Sequence, residues 1–104
     1  MNVINSSEIQ IFIDDSTIER RGDTVLSWER NIFTVPQEGS IKSFTAYKSV
    51  NCPNRIYRTH RGIAYNVAGK VIGDDNLTEE QSPPETVIPG TYGEEIYKAV
   101  CYNY

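Results

Sequence analysis

The feature that most constrains this chain is the polar stretch from Gly73 to Gly90, which carries Pro83, Pro84 and Pro89. Proline donates no ladder hydrogen bond, so this stretch is forbidden as a regular central strand. It reads as a long surface loop, and long loops in small domains are often functional. It also divides the chain. Everything before it is rich in strand-forming residues, and the short remainder has the pattern of one helix. At 104 residues the chain has room for a single domain, residues 1–104, with one modest core.

The strands follow from composition and turn chemistry. Glu8 to Ile13 is dense in β-formers, and Asp14-Asp15-Ser16-Thr17 follows as an Asx-type turn. Gly22 supplies a positive φ before a second strand over 24–33. There Val25, Ser27 and Glu29 alternate with Leu26, Trp28 and Arg30, and neither set is cleanly apolar, so the buried face stays open. Residues 35–40 read as a loop. A third strand over 43–50 sets Phe44, Ala46, Lys48 and Val50 on one side and Thr45, Tyr47 and Ser49 on the other. Asn51-Cys52-Pro53-Asn54 turns the chain into a fourth strand over 55–59. Residues 62–65 and 70–72 form either a hairpin around Ala68-Gly69 or a kinked continuation of strand four.

The helix is announced at its start. Thr91 followed by Glu94 matches a capping box, with Pro89-Gly90 as lead-in. Glu94 and Glu95 lie in the first turn, where the helix dipole favours anions, and Lys98 lies in the last. Tyr92, Ile96, Ala99 and Val100 recur at helical spacing, which predicts a face that packs on the sheet and carries Cys101 toward Cys52. The fold class is therefore α+β, mainly β: a single antiparallel sheet of about five or six strands with a C-terminal helix packed on it.

Charge is segregated. Residues 39–73 carry six cationic side chains and no acid, whereas residues 74–97 carry seven acids and no Lys or Arg. Such blocks form solvated faces or pair with each other across a fold. The sharper reading is that Asp74, Asp75, Glu79, Glu80 and Glu85 steer a basic partner. The net charge of −4 and this acidic neighbour argue against nucleic acid, although Arg55, Arg58 and Arg61 interleave with Tyr57 and Tyr65. No apolar run approaches a membrane span, and no insertion is expected. Catalytic motifs are missing: there is no phosphate loop, nucleophile elbow or metal-ligand cluster, and the one histidine, His60, reads as an exposed or edge residue. No enzymatic activity, cofactor or metal is expected. Cys52 and Cys101 stand 49 positions apart, outside zinc-ligand spacing, and permit either one bridge or two buried thiols.

Three motifs in order resemble the bacterial surface-adhesin E domain family. The opening is Ile13-Asp14, Ser16-Thr17-Ile18, Arg21-Gly22-Asp23, Val25 and Trp28. The middle is Tyr47 to Cys52 with Arg55-Ile56-Tyr57-Arg58, and the end is Pro89-Gly90-Thr91, Glu94 and Lys98 to Cys101. The resemblance spans roughly residues 8–101. It implies an antiparallel sheet with a C-terminal helix and a disulfide between Cys52 and Cys101, which ties the helix to the sheet. It also implies export by a Gram-negative bacterium and binding of host or envelope proteins; well-known members bind extracellular-matrix and serum proteins. It carries no catalytic residues.

Two functions follow as expectations. The first is an exported protein-binding module of the periplasm or cell surface, which holds if Met1 replaces a removed signal peptide. The alternative is a cytoplasmic acidic immunity protein, with Met1 as its native start, that blocks the active site of a basic toxin such as a nuclease. In both the partner is another protein, and an exposed sheet edge would permit a homodimer.

Overall fold

The computed structural model describes residues 1–102, so the last two residues of the expected domain lie outside the described residues. Eight strands and one helix run in the order β1 (Asn2–Asn5), β2 (Ile9–Ile13), β3 (Glu19–Arg21), β4 (Thr24–Gln37), β5 (Ile41–Asn51), β6 (Ile56–Tyr65), β7 (Val71–Asn76), β8 (Glu85–Thr86) and α1 (Tyr92–Tyr102). The eight strands form one antiparallel sheet with the main order β1-β2-β4-β5-β6-β7. The short β3 adds to β4 beside β2, and β8 adds to β6 beside β7. The sheet thus has more strands than the five or six expected. The additions are β1, β3 and β8, each of four residues or fewer and too short to give a periodic signal.

Two stretches read as loops are partly strand. Residues 35–37 continue β4, and the turn is compressed into Glu38–Ser40, where Gly39 and Ser40 both take positive φ. More consequentially, the supposed loop over 73–90 runs back along β6. Residues 73–76 complete β7, residues 85–86 form β8, and the Val87 amide donates to the Arg55 carbonyl at 2.8 Å. This path is an outer edge of the sheet, so prolines between its paired pieces leave no interior ladder bond unmade. Residues 62–65 are both a continuation of strand four and one arm of the hairpin into β7.

One face of the sheet lies under α1. Ile4, Ile11, Ile13, Val25, Val50 and Val87 bury against Ile96, Tyr97, Ala99 and Val100. Within the helix, Tyr97 replaces the expected Tyr92 on the buried face; Tyr92 is exposed and its hydroxyl reaches Ser6 Oγ at 3.3 Å. The helix begins as expected, because Thr91 Oγ1 accepts from the Glu94 amide at 3.3 Å. Glu94 reaches back one residue further than a standard capping box and accepts from the Gly90 amide at 3.3 Å. That bond first, with Lys98 and Arg55 nearby, holds the Glu94 carboxyl below its ordinary value. The helix runs on to Tyr102, so Lys98 falls short of the last turn, which holds no basic residue; it pairs instead with Glu94 at 3.6 Å. At the far end, Cys101 is bonded to Cys52, and Tyr97 donates its hydroxyl proton to the Cys52 carbonyl at 2.8 Å. Arg55 stands in the preceding turn at φ +55°, not in a strand, with its guanidinium 4.7 Å from the Tyr97 ring centre.

The ambiguous alternation in β4 is settled by pairing. Val25, Ser27 and Glu29 are the buried set. Glu29 is only 4% exposed, and its carboxylate is met by Lys48 Nζ at 2.7 Å and by Asn31 Nδ2 at 3.2 Å. A charge can be buried when it is paired and hydrogen-bonded, which is the condition met here. Beside it, Tyr57 has its hydroxyl pushed up to about 12 by burial and then by its hydrogen bond to Glu85.

Candidate partner-binding surface

Among the described residues, the opposite face lies away from α1, the one α-helix. By register it carries Leu26, Trp28 and Arg30 of β4, and Thr45, Tyr47 and Ser49 of β5. Trp28 and Tyr47 are direct cross-strand partners with ring centres 5.1 Å apart. Such aromatic pairs stabilise a sheet surface without a covering layer. Both rings remain half-buried.

β6 extends this row through a bulge. Lys48 is opposite Thr59 but Tyr47 is opposite Arg61, so His60 is an extra residue. A bulge re-aims side chains, and here it places the His60 ring 6.2 Å from Tyr47 on the same face. His60 is therefore a half-buried residue of an interior strand, not the exposed or edge histidine expected from sequence. Its Nε2 lies 2.6 Å from Ser49 Oγ, and its Nδ1 lies 2.6 Å from Arg58 Nη1. Burial, and then the Arg58 charge, lower its pKa below the ordinary 6.5, so the ring is neutral near pH 7. Its ring contacts are a hydroxyl, a guanidinium and an aromatic ring, and none is a carboxylate.

Arg58 also fixes the excursion between β7 and β8. Its Nη2 donates to the Leu77 carbonyl at 2.7 Å and its Nε to the Ser82 carbonyl at 2.9 Å. The Leu77 amide returns a bond to the His60 carbonyl at 2.8 Å. The three arginines that sequence interleaves with tyrosines are thus dispersed. Arg55 turns to the helix, Arg58 to this excursion and Arg61 to Asp74.

The five acids singled out by sequence lie along the β7–β8 edge without forming one uniform patch. Asp74 is clamped by Arg61 through two bonds of 2.9 and 2.8 Å, which hold its carboxyl below the ordinary range. Glu85 is taken up by Tyr57 on β6. Asp75, Glu79 and Glu80 are exposed and form no ion pair among the described residues. The row Trp28, Tyr47 and His60 was not singled out as a surface. The available signal was the parity of Tyr47 and Trp28 within their strands, but the bulge at His60 has no sequence signature.

Residues 1–102 match the family model of surface-adhesin protein E. The chain belongs to this family. The same fold recurs in solved structures of protein E from Haemophilus influenzae. Crystal form II has a TM-score of 0.65 at 18% identity, covering 90% of this chain and 81% of that one. Protein E from the non-typeable organism has a TM-score of 0.64 at 17% identity, covering 99% of this chain and 76% of that one. At such identities the likeness to protein E is one of fold. No curated protein matches the chain. The adhesin-E architecture, an antiparallel sheet with a C-terminal helix bonded to it through Cys52 and Cys101, is the one expected from the three sequence motifs. Among the described residues of this adhesin-E chain, no helix is long and apolar enough to cross a membrane, and no cluster of His, Cys, Asp and Glu is arranged to hold a metal.

Proposed function

We propose that the chain is the binding module of an exported bacterial surface adhesin, and that it takes a host or envelope protein on the helix-free face of its sheet. The observation that carries the reading is the half-buried Trp28–Tyr47 pair on a face that α1 leaves uncovered. Tryptophan, tyrosine and arginine dominate the centres of protein interfaces, because each buries a large area at low entropic cost. Arg30 lies exposed beside the pair and supplies a cation at its rim. Family membership supports export and a surface role.

The acids Asp74, Asp75, Glu79, Glu80 and Glu85 act in this proposal as a rim that steers a basic region of the partner, with the exposed Asp75, Glu79 and Glu80 contributing most. The alternative of an immunity protein covering a basic toxin finds no support in the family match.

The test is surface binding of the purified, oxidised chain to a panel of extracellular-matrix and serum proteins. Trp28→Ala and Tyr47→Ala should each weaken a captured partner by tenfold or more while leaving the folded spectrum intact. Lysine at Asp75, Glu79 and Glu80 together should slow association and alter its salt dependence, with little effect on dissociation. Undiminished binding by both aromatic variants would move the interface elsewhere on the molecule.

A further inference from the structure

Arg58, His60 and the excursion over residues 77–82 form one hydrogen-bonded unit whose proton inventory is fixed by chemistry. A guanidinium has donors only. Arg58 spends them on the Leu77 carbonyl, the Ser82 carbonyl and His60 Nδ1. His60 Nδ1 must therefore present a lone pair, which leaves the ring proton on Nε2, facing Ser49 Oγ at 2.6 Å. The arrangement exists only for the neutral imidazole in that tautomer. A second proton can be added only at Nδ1, and there it would point at the Arg58 N–H from 2.6 Å.

We propose that His60 is a proton-operated latch: its protonation expels the Arg58 guanidinium and releases the 77–82 excursion, with Glu79 and Glu80 on it, from the sheet. When Arg58 leaves, the Leu77 and Ser82 carbonyls lose their side-chain donor together. What remains is the single bond from the Leu77 amide to the His60 carbonyl and the turn's internal bonds, such as Ser82 N to the Thr78 carbonyl at 2.9 Å. The surroundings do not offset the added charge. On β6, Arg58 is itself cationic and Arg61 is occupied by Asp74 of β7. β5 presents Tyr47 and Ser49, while Lys48 turns to the other face, to Glu29. Trp28 of β4 stacks on the far side of Tyr47. Glu79 and Glu80 are exposed and hydrogen-bond to neither His60 nor Arg58.

The lowered His60 pKa agrees with this geometry and sets the direction. The unfolded or released state binds the proton more readily, so the latched state is complete above pH 6.5 and is lost as the pH falls below it. The latch is independent of which partner the adhesin binds.

The experiment is a pH titration of the oxidised chain by NMR between pH 8 and 4.5. It follows the His60 ring nitrogens, the Arg58 Nε–H and the amides of residues 77–82. The expected result is an Nε2–H tautomer at pH 7.5, with amide shifts of 77–82 moving at the His60 midpoint, below 6.5. His60→Gln, which keeps an acceptor but cannot titrate, should abolish that step, and Arg58→Ala should show the acid-limit shifts at every pH. A ring proton on Nδ1 at pH 7.5 would overturn the latch. So would 77–82 amides that follow a carboxylate midpoint near 4, or that move unchanged in His60→Gln.

Discussion

The two faces of this sheet come from the same strands, with the same alternation, yet they are stabilised differently. Beneath α1 the side chains are aliphatic and closed: Ile13, Val25 and Val100 are at most 1% exposed. Among the described residues the opposite face has no second layer, and its large side chains cover one another across strands, Trp28 on Tyr47 and Tyr47 beside His60. In the first case stability comes from removing apolar surface from water. In the second, pairwise contacts stabilise a surface that remains accessible.

The largest expected effect tests what keeps the covered face covered. Replacing Cys101 with Ser opens a covalent loop between positions 49 apart, and should cost about 4 kcal/mol in denaturant unfolding. A negligible loss would mean that α1 stays docked through its apolar face alone. Next, Ile13→Ala should cost about 3 kcal/mol by leaving a cavity, whereas Trp28→Ala on the open face should cost about 1 kcal/mol despite the larger side chain removed. Equal losses would erase the energetic distinction between the faces. A smaller change probes the covered side beyond the helix. A methyl group on Gly62 would stand 2.5 Å from the Phe44 ring, which lies across it. Gly62→Ala should cost about 2 kcal/mol, and Phe44→Leu in the same chain should recover part of it. Finally, Thr91→Ala should cost about 1 kcal/mol through the lost cap, read as a lower melting temperature.

Much of the fold was legible because local chemistry and burial agreed. The Asp14 turn closes as its residue types imply, with Asp14 accepting from the Ser16 amide at 3.1 Å. Gly22 takes the positive φ expected of it, and the cap at Thr91 forms. What was not legible has three physical causes. Glu29 made a buried face look polar, since its partner Lys48 comes from another strand and no local pattern records that pairing. Prolines made an edge look like a free loop, since their prohibition applies to interior strands and the sequence does not say which strand is outermost. The bulge at His60 shifted a histidine from bystander to the centre of a bonded cluster, and a single inserted residue leaves no periodic trace.

The bond between Cys52 and Cys101 has a mechanical consequence as well. Tension applied between the chain's two ends bypasses the enclosed segment, because the covalent crosslink carries the load across it. Stretching such a molecule would therefore yield a contour shorter by about 160 Å than an uncrosslinked chain of equal length. Apart from the few residues after Cys101, only the portion up to Cys52 would pay out, starting with β1, which is paired on one side only. Strands β6 to β8 and nearly all of α1 would stay shielded until the sulfur bridge itself was reduced.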